Sequence, residues 1–243
     1  KKHDAQQVLS KLKHLRDRVL SEHLKIGTSY LKDVSARDGP SIQCQAIFVS
    51  DTIAVAFWYD SPADRETTPG ASIYMVGKVI AELIRESASI TIPPARIFRG
   101  CITEAEFDFD ESFLIGPAVD EAGACHEQAA GSLVFLAPPA DKRLNEAISY
   151  LRHLVETGEL TREEACTSTE ALLFVPHEIP LKTGTVMLPV LNPLAGEEAA
   201  NQPPIIESIL AGFDDDNLRV QEMKANTEKF LNKCGTFNID PWF

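Results

Sequence analysis

Two apolar runs separated by two residues constrain this chain more than any other feature. Residues 42–49 read IQCQAIFV and residues 52–59 read TIAVAFWY. Both are rich in β-branched and aromatic side chains, which fit a pleated, half-buried surface. Only Ser50 and Asp51 lie between them. So short a separation leaves room for nothing but a tight turn, and the spacing predicts a β-hairpin. The second run is almost wholly apolar, which predicts a strand in the middle of a sheet. A carboxylate in such a turn stands clear of the sheet, where a hard cation can reach it. Aspartate is equally a favoured turn residue for its own backbone hydrogen bonds. The local sequence leaves both roles open for Asp51.

The rest of the chain alternates helix and strand signals. Val8, Leu9, Leu12, Leu15, Val19, Leu20 and Leu24 recur at helical spacing over residues 6–24. Asp38-Gly39-Pro40 marks a loop. Ile73, Val76, Ile80, Leu83 and Ile84 form one face of a helix that Pro93-Pro94 would stop. Residues 95–107 (ARIFRGCITEAEF) read as a strand, with residues 112–116 (SFLIG) as its hairpin partner. Pro117 suits the first turn of a helix reaching about Ala130. A strand at 132–137, a helix at 141–157, strands at 172–176 and 186–194 and helices at 205–212 and 215–233 complete the series. This order predicts an α+β fold, a mixed or antiparallel sheet flanked by helices. The change of character near Gly196 predicts a main domain over 1–195 and a helical extension over 196–243.

Charge narrows the function. Acidic residues outnumber basic ones by 36 to 23, a net charge of −13. That argues against nucleic acid as a partner, since its binders carry a basic face. It leaves room for a nucleotide, whose triphosphate arrives with its own metal ions. No apolar run reaches the roughly 18 residues of a membrane span, and the polar start Lys1-Lys2-His3-Asp4 does not read as a signal peptide. The cysteines, Cys44, Cys101, Cys125, Cys166 and Cys234, form no CxxC pair. Scattered in this way they read as reduced thiols of a cytoplasmic protein, buried as small apolar groups.

Several polar residues admit two roles. Arg99, in an apolar strand, needs a partner, either an ion pair with Glu104, Glu106 or Asp108 or a contact to a bound base or phosphate. Asp120 reads as a solvated helix carboxylate. His126 has no second ligand at metal spacing and reads as a structural histidine. Tyr74, Phe48 and Trp58 suit core packing better than base stacking. Lys78, Lys182 and Lys224 are all candidates for a triphosphate, and nothing selects among them.

Four segments carry a resemblance. They are Ile47-Phe48-Val49-Ser50-Asp51-Thr52-Ile53, Arg99-Gly100-Cys101-Ile102-Thr103-Glu104-Ala105-Glu106, Ile115-Gly116-Pro117-Ala118-Val119 and Glu127-Gln128-Ala129. Their order and spacing over residues 6–138 resemble the bacterial pyrimidine cyclases of the Pycsar antiphage systems, within the class III adenylyl/guanylyl cyclase superfamily. The resemblance implies a ferredoxin-like catalytic core that acts as a homodimer, with the nucleotide bound between two domains. It implies two divalent cations, Mg2+ or Mn2+, held by two aspartates, of which Asp51 is the second. It implies Arg99, Ser50, Thr52 and Asp120 as substrate contacts. The implied reaction converts UTP, or CTP, to the cyclic nucleotide and pyrophosphate, and the product switches on a partner effector in the cytoplasm.

The departures from that pattern are informative. Purine cyclases carry an Asn and an Arg four residues apart, and here those positions are Asp120 and Ala124. Pro117 replaces the purine-selecting polar residue. Both changes put adenylyl or guanylyl cyclase activity in doubt and leave pyrimidine activity open, with another cation supplying the stabilisation of the missing arginine. The strand bearing the first metal aspartate precedes the first helix in such cyclases. No such pattern occurs here, and Asp4, Asp17 and Asp33 do not replace it, so it is expected upstream of residue 1. The alternatives are a cyclase-like domain that binds a nucleotide or dimerises without turnover, and a purine cyclase.

Overall fold

The computed structural model describes residues 10, 13, 17, 42–49, 52–59, 61–63, 71–89, 98–110, 113–126, 128–167, 173–181, 184–213 and 217–236. Ser10, Lys13 and Asp17 are helical and exposed. They stand between the apolar positions of the expected first helix, which lie outside the described residues, as do Asp38-Gly39-Pro40, Pro93-Pro94 and Lys182.

The hairpin forms as its spacing predicts. Strand β1 (Ile42–Val49) pairs antiparallel with β2 (Thr52–Tyr59), from Ile42 opposite Tyr59 to Val49 opposite Thr52. Period-two alternation then sends Ile53, Val55 and Phe57 to one face of β2 and Trp58 to the other. The first three pack against Val79 and Leu83 of helix α1 (Ala71–Ser89). Tyr59 accepts a hydrogen bond from the Ser72 amide at the start of that helix (3.1 Å). The expectation that β2 is a central strand is not met among the described residues, where β1 is its one ladder partner. Its apolar character reflects cover on both faces, by α1 and by aromatic side chains.

The main sheet has the order β3-β6-β8-β7, built from β3 (Gly100–Ile102), β6 (Val134–Leu136), β8 (Gly184–Leu191) and β7 (Phe174–Leu181). β3 and β6 are parallel and the other pairs antiparallel, so the sheet is mixed and the fold is α+β. Alternation divides β6, with Val134 and Leu136 in one apolar cluster and Phe135 in the other. Helix α1 and helix α3 (Pro138–Glu156) cover the first face through Ile73, Tyr74, Leu144 and Ile148. Gly77 permits that close approach, since a Cβ there would lie 2.6 Å from Leu173 Cδ2 and 2.8 Å from Phe174 Cζ. The shorter helix α2 (Pro117–Cys125) packs against β3 and the two-residue strand β5 (Leu114–Ile115), which pairs with β4 (Asp108–Phe109). Helix α4 (Arg162–Thr167) follows α3.

Helices α5 (Gln202–Ala211) and α6 (Leu218–Gly235) cover the second face with Ile209, Phe230 and Leu231. Polar bonds fix α6 in place. Asn226 donates to the Ala130 carbonyl (2.7 Å), and the Thr227 hydroxyl accepts from the Ser132 amide (2.8 Å). No helix of the described residues is long and apolar enough to cross a membrane.

His177 lies buried under α6, its ring 4.9 Å from that of Phe230. Burial, reinforced by Lys233 and Lys229 and opposed by Glu178, pulls its pKa down to about 4. In the unfolded chain the ring takes a proton near pH 6.5. Between these values the unfolded state binds more protons than the folded one. Stability therefore falls as the pH drops from about 6.5 to about 4 and is level above that window. Allowing for screening, the loss is about 1–2 kcal/mol. Urea titrations at pH 7 and pH 4.5 should show this loss in the native protein and a smaller one in His177→Phe. An equal loss in both would place the acid sensitivity elsewhere.

Candidate functional site

The residues singled out in the sequence fall at two places. Ser50 and Asp51 lie outside the described residues, and the chain connects them directly to the paired positions Val49 and Thr52. Thr52 is exposed at the start of β2. Arg99 is exposed just before β3, rather than inside an apolar strand. Its chain neighbour Phe98 and Thr52's neighbour Ile53 both pack against Val79 and Leu83. Helix α1 thus meets β2, through Ile53, Val55 and Phe57, and the segment just before β3, through Phe98, on the same two residues.

Further along the chain from Ile53 and Phe98, the Trp58 and Phe107 rings meet each other (centroids 6.1 Å). Among the described residues β2 and β3 are not paired to one another.

Asp120 stands at the opposite end of β3, exposed on the first turn of α2. Its helix begins at Gly116, whose φ of 126° places it where an L side chain is strained. The Ala118 amide donates to the Glu106 carbonyl (3.2 Å), which supplies one of the helix's unpaired N-terminal donors. The Thr103 hydroxyl donates to the Glu121 carboxylate and ties the helix to the end of β3. On the other side, the Arg143 guanidinium of α3 grips Glu104 (2.8 Å) and also Glu146 (2.7 Å). Glu104 is therefore committed to Arg143, not to Arg99 as one sequence reading had it.

These clamps carry a pocket of about 340 Å³ lined by Trp58, Ala105, Glu106, Phe107, Asp108 and Phe109. Trp58 and Phe109 stack at a tilt, 4.6 Å between centroids. The carboxylates of Glu106 and Asp108 make the pocket repel phosphate. Trp58 lies six positions along β2 from Thr52, roughly 20 Å at the usual rise per residue. The pocket and the Asp51 turn are thus separate places. Phe107 and Phe109 were missed in the sequence, although their period-two spacing is a usable signal. Thr103 and Glu121 carry no local signal, because they are far apart in the chain.

Other expectations settle as follows. Tyr74 is buried in the core, with the Lys78 ammonium 5.7 Å from its ring centroid. His126 has its Nδ1 2.7 Å from the Gly123 carbonyl, a local structural bond. The side chain of Phe48 lies outside the described residues. Among the described residues no group of three or more His, Cys, Asp or Glu side chains is placed to hold a metal ion. Replacing Arg143 with Ala should destabilise the protein by about 1 kcal/mol, since the pair is only half buried. Amide exchange over residues 103–110 should accelerate with it. Unchanged exchange there would mean that Arg143 does not anchor the segment.

No family model matches this chain, and neither a curated protein nor a solved structure does.

Proposed function

We propose that this protein is a nucleotidyl cyclase of the class III type, with a ferredoxin-like core, that converts UTP, or CTP, to the 3′,5′-cyclic nucleotide and pyrophosphate. The observation that supports this most is the placement of β2 and β3. Residues of β2 and the residue two before β3, Phe98, pack against one helix, yet each strand is paired only with another, β2 with β1 and β3 with β6, among the described residues. In a class III cyclase the strand with the first metal aspartate is central in the sheet. A place between β2 and β3 would make one sheet of the two.

Asp51 offers the hard carboxylate oxygen that Mg2+ or Mn2+ prefers. Such a cation, when bound, acidifies a ribose hydroxyl and offsets phosphate charge. Arg99, exposed next to Phe98, which packs on α1, would present a planar fork of donors to a base or phosphate. The hydroxyls of Ser50 and Thr52 can donate to or accept from a pyrimidine edge. Asp120, at the far end of β3, would reach the same nucleotide from the second protomer of a homodimer. The product would act on a cyclic-nucleotide-switched effector.

A second reading is a domain that binds a nucleotide without turnover. Asp120 and Ala124, in place of the Asn and Arg of purine cyclases, favour it. Incubating the purified full-length protein with each labelled triphosphate and Mn2+ separates the readings. Cyclic UMP or cyclic CMP is the expected product. Cyclic AMP or cyclic GMP alone would overturn the pyrimidine assignment. Triphosphate binding without product supports the second reading, and neither binding nor product removes both.

A further inference from the structure

Strand β2 turns Ile53, Val55 and Phe57 to α1 and leaves Trp58 on its other face. There Trp58 meets two rings of the segment after β3, Phe109 at 4.6 Å and Phe107 at 6.1 Å between centroids. Phe107 and Phe109 are themselves 6.4 Å apart. The three pairs are inclined at 44°, 74° and 37°. No two rings are parallel, so they wall a cleft instead of forming a flat stack. Its volume of about 340 Å³ falls among small-molecule sites, which run from roughly 300 to 1,000 Å³. The cleft opens to solvent, since Phe109 is 39% exposed. Two hydrogen bonds hold the walls in place. The Glu106 carbonyl accepts from the Ala118 amide (3.2 Å), and the Asp110 carbonyl accepts from the side-chain amide of Gln45 on β1 (3.5 Å). The second bond ties the segment to the hairpin that carries Trp58.

The charge around the cleft has one sign. Glu106 and Asp108 line it, both exposed, and no Lys, Arg or His does. Neither carboxylate has an ion-pair partner among the described residues. The faces of the rings are themselves electron-rich. Such a cleft selects a cation, and the rings decide which kind. A metal ion or a plain ammonium would exchange tightly held water for rings that offer no oxygen in return. A quaternary ammonium group holds water weakly, has no proton to donate, and fits its methyl groups against apolar walls. We propose that this cleft binds the trimethylammonium group of an organic cation, with Trp58, Phe107 and Phe109 against the methyl groups and Glu106 and Asp108 supplying the negative field. The site is separate from the Asp51 turn and does not rest on the cyclase reading. Two sources carry the group, a free amine such as choline and a trimethylated lysine side chain. A phosphocholine headgroup is disfavoured, because its phosphate would meet the same carboxylates.

The test is an NMR titration of the native protein with choline. The chain has two tryptophans, Trp58 and Trp242, and so two indole N–H signals. One of them should shift saturably, and Trp58→Leu should remove that signal and identify it. The second titrant is the uncharged isostere of choline, in which a tert-butyl group replaces trimethylammonium. It has the same shape, so the difference between the two reads the charge alone. Choline should bind about tenfold more tightly, and Glu106→Gln with Asp108→Asn should narrow that gap. Should Trp58→Leu not fold, Phe109→Leu, at a half-exposed ring, should keep the fold and weaken choline. A short peptide carrying trimethyl-lysine is the third titrant, and the tighter of peptide and choline names the source. Equal binding of choline and its isostere would make the cleft an apolar one and overturn the proposal. So would a shift confined to the signal that Trp58→Leu retains, or no shift at tens of millimolar choline and peptide.

Discussion

Asp51→Asn should abolish cyclic pyrimidine nucleotide formation, lowering the rate at least about 100-fold, while the protein stays folded. The magnitude follows from losing a charged metal ligand, since metal stabilisation of a phosphoryl transition state amounts to several kcal/mol, and each 1.4 kcal/mol is tenfold in rate. The fold should survive because asparagine is itself a favoured residue of two-residue hairpin turns. The ladder from Ile42 opposite Tyr59 to Val49 opposite Thr52 does not depend on that side chain's charge. The comparison is between labelled-triphosphate turnover and thermal unfolding of the same preparation. Full turnover with an unchanged melting curve would remove Asp51 from the metal site. Reduced turnover with a lowered melting point would instead mean that the residue holds the hairpin.

The second large effect is on stability. Gly116→Ala should cost about 3 kcal/mol and lower the melting temperature by roughly 6–12 °C. Two terms add here. The backbone sits at φ 126°, a region essentially reserved for glycine. A Cβ would also lie 2.9 Å from both the Glu106 carbonyl oxygen and Phe107 Cα, which are backbone atoms and cannot rotate away. Gly158→Ala is the internal control, with φ 77° and nothing near its Cβ. It should cost only the left-handed strain, about 1 kcal/mol. Equal losses in the two variants would mean that contact with the Glu106–Phe107 backbone contributes nothing.

Much of the local structure is legible in the sequence, and the reasons are local. The hairpin follows from two β-rich runs and a two-residue separation. Pro117 opens α2, because its missing amide proton costs nothing in a first helical turn. The strands at 174–181 and 184–191 and the helices at 202–211 and 218–235 fall near where composition and periodicity predict them. The strand read over residues 95–107 does not hold its length. Among its described residues, 98–107, only Gly100–Ile102 joins the ladder. Beyond it, Thr103 is bound to Glu121 and Glu104 to Arg143, which draws the chain out of the sheet. Those partners lie 18 and 39 positions away, beyond the reach of any local rule.

The same division holds for the candidate site. Arg99 and Thr52 could each be singled out for their residue type. That one helix packs against both β2 and the Phe98 segment before β3, while Asp120 lies beyond the other end of β3, is a property of packing. The stacking of Trp58 on Phe109 arises the same way, from elements the chain separates and the core brings together.

By itself the sequence determined the periods of its elements, the turn between the first two strands and the acidic character that sets nucleic acid aside. These depend on interactions within a few residues and on composition. The tertiary structure alone decided that β2 pairs with β1 and β3 with β6, that Glu104 belongs to Arg143, and that His177 is buried beside two lysines. Those outcomes depend on which distant surfaces bury one another, and period and propensity say only that a surface must be buried, not against what.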